Sequence, residues 1–276
     1  MSEAPQQMVT AEGHLVSAVG QGTWYLGDDR EAREEEVAAL RAGIEAGMTL
    51  VDTAEMYGGG RSERLVGEAI APVRESVYLV DKVLPSNASA TGTIEACERS
   101  LRALGTDWID LYLLHWPGPH PVAETVDAFE SLVQRGWIRA WGVSNFDPAD
   151  LASLPATPLV NQVLYNPSRR GVEVDLLPAH REAGITTMAY SPIEQGRLLA
   201  DPTLTAVAER HQVSVAQVLI AWAVREPGTI AIPKVSSVAH AEENAAALEV
   251  ALTAEDLAEI DAAFPVPTDP VPLEML

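Results

Sequence analysis

The sequence predicts an α/β fold, a closed (β/α)8 TIM barrel with an additional C-terminal helix outside the barrel, formed by residues 1–276 as a single domain. Short β-like runs alternate along the whole chain with stretches of helical period, the pattern of parallel strands joined by crossover helices. The units count eight and eight, and no Pro/Gly/Ser-rich linker or block of like charge divides them.

The strands are expected near 18–22, 49–52, 77–81, 111–114, 138–143, 159–163, 186–190 and 230–232. The helices are expected near 33–46, 61–71, 93–104, 122–134, 148–154, 173–183, 215–225 and 239–247. Several helices run into a glycine before the next strand, as at Gly47, Gly105, Gly136 and Gly184, which matches a left-handed C-terminal cap. Glu34, Glu35 and Glu36 fall where carboxylates complement the dipole of a first helical turn. A further helix near 254–262, started by Thr253 with Glu255 and Asp256 behind it, packs outside the barrel, and the proline-rich tail after Phe264 is irregular. A doubly wound nucleotide-binding sheet is the competing architecture, but G-x-G-x-x-G does not follow the first strand. Gly20 and Gly22 supply only two of those glycines, and close backbone approach at a barrel rim explains them equally well.

Composition narrows the partners. The 276 residues are 47% hydrophobic, enough for a large core. With 18 Lys+Arg against 40 Asp+Glu the formal charge is −22, which repels phosphate backbones and anionic lipid, so nucleic acid and membrane partners are not expected. An anionic cofactor needs local cations or helix N-termini to offset that field. No apolar run approaches the roughly 20 residues of a membrane span, and residues 1–10 lack a basic segment followed by an apolar one; the expectation is a soluble cytoplasmic protein. The single Cys97 cannot form an internal disulfide and reads as a buried structural thiol, and no cysteine-based metal site exists. The sequon at Asn87, Ala88 and Ser89 is a chance match in that context.

Asp52, Lys82 and His115 stand at the C-terminal ends of successive predicted strands, and Tyr57 lies in the loop after Asp52. In a barrel of this kind the active site is built on that rim, and neighbouring strands about 4.8 Å apart can bring such groups into one pocket. A tyrosine is a poor acid at neutral pH, but a nearby Lys82 lowers its pKa and stabilises phenolate, a carboxylate orients the lysine, and a neutral imidazole hydrogen-bonds a carbonyl. Together these groups describe a proton donor for a carbonyl under reduction. Taken singly, an Asp, Lys or His at a strand end is more often a structural ion-pair or hydrogen-bond member, and spacing alone does not name the reaction.

The segments VDTAEMYG (51–58), LYLLHWP (111–117), WGVSNF (141–146) and IPK (232–234) resemble the aldo-keto reductase family, in the right order over nearly the whole chain. GQGTWY (20–25), the acidic surface and the short tail are most similar to its bacterial methylglyoxal reductase members. The resemblance implies a nicotinamide-dependent oxidoreductase without a metal, with Tyr57 as general acid, Lys82 and Asp52 tuning it, and His115 orienting the carbonyl. It further implies that Ser144, Asn145 and Gln162 hold the carboxamide and that Tyr190 stacks on the nicotinamide ring. By the same carry-over Ser191, Ile193, Gln195 and Gly196 wrap the pyrophosphate, Lys234 meets the adenosine ribose phosphate, and Glu243 and Asn244 meet the adenine. The chain departs from the family where a lysine-serine pair is followed by an arginine six residues after the lysine: here Val235 follows Lys234, and His240 replaces the arginine. Lys234, Ser236 and Ser237 still favour NADPH, with NADH use the alternative.

Trp24 and Trp116, with His115, form the expected substrate wall, and Met56, Pro117 and His120 are further contributors. With only about a dozen residues after Phe264, no long lid is expected, which favours small aldehydes and ketoaldehydes such as methylglyoxal. A monomer is expected by family habit. A cofactor-binding sensor or regulatory subunit on the same scaffold is the rival reading; the intact set of four polar residues argues against it. A lyase, isomerase or sugar-binding barrel leaves Ser144, Asn145, Gln162 and Lys234 unexplained together.

Overall fold

A computed structural model describes residues 7–9 and 15–276, so most of the opening segment read for a leader lies outside the described residues. Eight parallel strands form one sheet in sequence order: β3 (Gln21–Gly22), β4 (Leu50–Asp52), β5 (Tyr78–Val83), β6 (Ile109–Leu114), β7 (Ile138–Ser144), β8 (Val160–Leu164), β9 (Thr186–Tyr190) and β10 (Thr229–Ile232). Parallel bridges from Val19 to Ala231 and from Gly22 to Lys234 join the first strand to the last and close the barrel. The backbone bonds of closure run from Gly20 N to Ala231 O and from Gly22 N to Pro233 O, both 2.8 Å. A Cβ on Gly22 would lie 2.9 Å from the Ile232 carbonyl oxygen, and one on Gly20 2.6 Å from Leu50 Cδ2, so close packing at the barrel closure accounts for both glycines.

Ten helices are described: α1 (Arg33–Glu45), α2 (Arg61–Ile70), α3 (Ala90–Leu104), α4 (Val122–Gln134), α5 (Pro148–Ala152), α6 (Leu176–Ala183), α7 (Pro202–His211), α8 (Val215–Ala223), α9 (Val238–Ala246) and α10 (Ala254–Ala263). Local chemistry sets their ends. Ser89, the last residue of the sequon, caps α3 by accepting from Gly92 N at 3.1 Å, and Thr253 caps α10 in a reciprocal box with Asp256. Gly105 and Gly184 close α3 and α6 in the left-handed conformation, with φ of 65° and 70°. Glu34, Glu35 and Glu36 do open α1, and Glu36 also accepts from Gly27 N at 2.8 Å.

Two elements differ from expectation. Helix α7 was not among the expected helices. Its signal is a capping Asp201 before Pro202, with Leu204, Val207 and Ala208 on one buried face, a stripe too short to stand out beside α8. An antiparallel hairpin, β1 (Gln7–Val9) with β2 (Leu15–Ser17), precedes the barrel, and Val16 packs among the barrel-interior residues.

The core has two layers. Leu50, Val80, Leu111, Leu113, Val160, Met188, Ile230 and Ile232 fill the barrel. Between strands and helices lie Leu79, Val83, Tyr112 and Leu114 on one side of the molecule, and Trp222 and Tyr165 on the other. Along β5 the alternation sends Val80 inward and Leu79 and Val83 outward, which turns Lys82 into the barrel and Asp81 toward the helices. Cys97 is buried on α3, and burial raises its thiol pKa, as expected of an inert structural residue.

Candidate active site

The rim at the C-terminal strand ends gathers the four polar groups. Asp52 ends β4, Lys82 is the penultimate residue of β5, His115 follows β6, and Tyr57 opens a single 3-10 turn, Tyr57–Gly59. Lys82 Nζ donates to Asp52 Oδ2 at 2.7 Å, to the Thr53 carbonyl at 2.7 Å and to the Tyr57 hydroxyl at 3.3 Å. Those three bonds use all the protons of a fully buried ammonium. The other Asp52 oxygen accepts from Gln162 Nε2 at 2.8 Å. The His115 ring meets the Tyr57 ring edge-on, with centroids 5.8 Å apart.

Burial sets the protonation states. It works against the Lys82 ammonium, but the charge of Asp52 and the Tyr57 oxygen overcome it and hold Lys82 above its ordinary range. Burial raises Asp52 against the pull of Lys82. For Tyr57 burial also dominates: its pKa lies above the ordinary value, with Lys82 lowering it and Asp52 raising it. The expectation that Lys82 brings Tyr57 below its ordinary value is thereby corrected. The phenolate loses more by desolvation than it gains from a lysine whose charge Asp52 largely neutralises. A neutral phenol is the form that can donate a proton. Burial and then the Lys82 charge push His115 well below the usual imidazole range, so it is neutral at pH 7. Its Nδ1 is buried without a hydrogen-bond partner among the described residues.

Asp52, Tyr57 and His115 line a cavity of about 700 Å³. At its floor Ser144, Asn145, Gln162 and Tyr190 form one network. Ser144 Oγ donates to the Gln162 carbonyl at 3.0 Å, Asn145 Nδ2 to the His115 carbonyl at 3.1 Å, and the Tyr190 hydroxyl to Asn145 Oδ1 at 3.0 Å. Burial pushes the Tyr190 phenol up to about 12. Asn145 adopts a left-handed φ of 58°, which turns its amide into this network. Ser191, Ile193, Gln195 and Gly196 line the next wall. Their loop is fastened by buried Glu194, which accepts from Asn166 Nδ2 at 2.7 Å, Arg169 Nη2 at 3.0 Å and Arg197 Nη1 at 3.0 Å.

The far end is more open. Lys234, Ser236 and His240 line it; Lys234 and His240 are exposed, and Ser236 Oγ lies 3.2 Å from His240 Nδ1. Ser237 is the N-cap of α9, accepting from His240 N, so its hydroxyl serves the helix. Glu243 and Asn244 lie farther along α9, off the cavity lining, and buried Asn244 donates to the Lys234 carbonyl at 3.4 Å.

On the substrate side Trp24, Met56 and Trp116 line the cavity, while Pro117 and His120 do not. His120 lies 3.4 Å from the Ser86 carbonyl. Sequence reasoning missed Tyr25, which stacks on Trp24 at 4.6 Å and lies 5.7 Å below Lys234 Nζ, though its place beside Trp24 offered a signal. It also missed Met275 and Leu276, which reach the cavity wall from a tail anchored by Glu274 on Arg169. No periodicity marks such a segment; only its apolar ending could have drawn attention.

The sequence profile of the aldo/keto reductase family matches residues 18–264. The chain is 49% identical to methylglyoxal reductase YeaE of Escherichia coli (strain K12), covering 98% of this chain and 99% of that protein. It is 36% identical to glyoxal reductase of Bacillus subtilis (strain 168), covering 88% and 87%. An aldo/keto reductase from Klebsiella pneumoniae, solved in complex with NADP and acetate, superposes with a TM-score of 0.96 at 45% identity, over 99% of this chain and 100% of that one. With its profile match, full-length relatives and barrel in agreement, the chain is an oxidoreductase belonging to the aldo/keto reductase family.

Proposed function

We propose that this chain reduces small aldehydes and ketoaldehydes, methylglyoxal among them, with NADPH as reductant and Tyr57 as general acid. The observation that carries the reading is the hydrogen-bonded chain of buried Asp52, buried Lys82 and half-buried Tyr57, which opens onto the same cavity as neutral His115. The relatives' names and the NADP-bound neighbour support the cofactor and substrate class.

The residues present fit a nicotinamide dinucleotide. A preformed amide and hydroxyl network can hold a carboxamide, an aromatic ring lies beside it, and Lys234 supplies a cation at the open end of a chain of charge −22. Ser144, Asn145 and Gln162 hold the carboxamide, Tyr190 the ring, and Ser191, Ile193, Gln195 and Gly196 the pyrophosphate. Lys234, Ser236 and His240 take the phosphate end, with Glu243 and Asn244 toward the adenine. When bound, reduced nicotinamide supplies a hydride to the carbonyl carbon. His115 positions the carbonyl oxygen by a hydrogen bond from its neutral ring, and Tyr57 breaks its O–H bond to protonate that oxygen. Lys82, oriented by Asp52, stabilises the resulting phenolate; in alcohol oxidation the same phenolate accepts the proton. Trp24, Trp116 and Met56, with Met275 and Leu276, leave room for small carbonyls. The protein acts as a cytoplasmic monomer.

The test is the fall in reduced-nicotinamide absorbance when protein, NADPH and methylglyoxal are mixed. Steady loss that disappears in Tyr57→Phe is the expected result. Tight NADPH binding without turnover across a panel of aldehydes would overturn it in favour of a sensor.

A further inference from the structure

Behind the catalytic strand lies a second buried polar cluster that the proposed reaction does not use. Asp81 precedes Lys82 on β5 and points to the opposite face, into the layer covered by α2 and α3. It is fully buried, and its register partner across the ladder is Tyr112 of β6, also fully buried. Glu63 of α2, 3% exposed, faces it, with Ser100 of α3 beside both. Both Asp81 oxygens, one Glu63 oxygen and the hydroxyls of Ser100, Tyr112 and Thr93 have no hydrogen-bond partner of good geometry among the described residues.

Two ionised carboxylates are acceptors only, so they cannot satisfy each other, and their mutual repulsion in a dry layer is severe. One proton between them removes both difficulties, as in other carboxyl pairs that share a site. Charged and titratable groups surround the pair. Arg64 on α2 favours ionised Glu63, whereas Glu55, in the loop after β4, opposes it. Cys97 on α3 and Tyr112 on β6 both feel Asp81, and burial keeps each of them protonated. Through the strand, Lys82 attracts Asp81, and a charge on Asp81 disfavours the Tyr57 phenolate.

We infer that Asp81 and Glu63 share a single proton behind β5, and that the negative charge resting partly on Asp81 acts across the strand on Lys82 and Tyr57 to set how far into alkaline pH Tyr57 keeps its proton. Asp81 is then a positioning residue for proton donation, and the inference rests on Tyr57 being the acid. The two amide variants separate this role from a structural one. In Asp81→Asn the charge moves to Glu63, away from Lys82, and the alkaline limb of kcat for reduction shifts to lower pH, with about a threefold lower rate on that limb. In Glu63→Gln the charge concentrates on Asp81, and the limb shifts to higher pH.

Infrared spectra at neutral pH give a second reading: the wild-type minus Asp81→Asn difference contains the carbonyl stretch of a protonated carboxylic acid, and so does the difference for Glu63→Gln. Limbs that stay in place or move in the same direction in both variants, or difference spectra without that band, overturn the inference. Should Asp81→Asn not fold, Glu63→Gln alone decides, since an unmoved limb or a shift to lower pH contradicts a shared proton. Reductase activity retained in Tyr57→Phe would sink the general-acid reading instead, a failure distinguishable because the infrared band does not depend on turnover.

Discussion

The two ends of the cavity are built on different principles. At the end that holds Tyr57, the residues Asp52, Lys82 and His115 are nearly or fully buried, and Lys82 meets Asp52 where both side chains are almost without solvent exposure. At the α9 end Lys234 and His240 are exposed, and among the described residues only a serine lies within hydrogen-bond distance of the histidine ring. Buried groups interact at low effective dielectric and cannot be replaced by solvent, whereas exposed charges are screened. The contrast predicts that substitutions at the first end have large effects at any salt, and those at the second have small, salt-dependent ones.

The sharpest break of this contrast is Tyr57→Phe. It removes the proton donor and nothing that the cavity needs for cofactor binding, so kcat should fall by about 10²- to 10⁴-fold while the NADPH dissociation constant, measured by fluorescence titration, stays put. Lys82→Met comes next, since it leaves Asp52 buried with Gln162 as its remaining donor. Losing one partner of a buried pair costs about 3–5 kcal/mol, readable as a lower denaturant midpoint, and Lys82→Met with Asp52→Leu should recover much of that stability without recovering activity. Full stability in the single variant would mean that Asp52 is protonated in the resting protein.

His115 gives the pH test of the buried end. Its folded-state pKa lies below the unfolded value, so between the two the unfolded chain binds more protons, and stability rises with pH across that window. The stabilisation is complete above about pH 6.5 and is lost as pH falls below it. His115→Gln should flatten that part of the curve, measured as chemical denaturation midpoints at successive pH values. An unchanged slope would mean that the imidazole is not held neutral.

Legibility in the sequence divides along the same line. The strand ends that carry Asp52, Lys82 and His115 were readable because a β-run with a polar residue at its end is a local pattern, and the barrel follows from repeating it eight times. Helix α7 was missed because its apolar stripe holds only Leu204, Val207 and Ala208. The direction of the Tyr57 shift was misread because sequence shows that a lysine is near but not how completely the phenol is desolvated. The arrival of Met275 and Leu276 at the cavity is accompanied by an ion pair between Arg169 and Glu274, 105 residues apart, which no local pattern contains.

At the exposed end Lys234→Ala should lower the ratio of NADPH to NADH efficiency by about tenfold at low ionic strength, as expected for one lost charge-assisted contact, and by less in high salt. A ratio that does not move removes Lys234 from the phosphate end. His240→Arg is the smallest effect and the most informative about how this chain differs from its relatives. Residue 240 lies in the first turn of α9, where backbone N–H groups and the helix dipole already favour an anion. A guanidinium there adds a permanent, planar, two-pronged donor in place of an imidazole, so NADPH preference should rise about threefold, again more at low salt. Because Ser236 Oγ lies 3.2 Å from His240 Nδ1, the substitution also frees that hydroxyl for the ligand. If Ser236→Ala abolishes the gain while leaving Lys234's contribution intact, the preference at this end comes from the serine and not from the charge at 240.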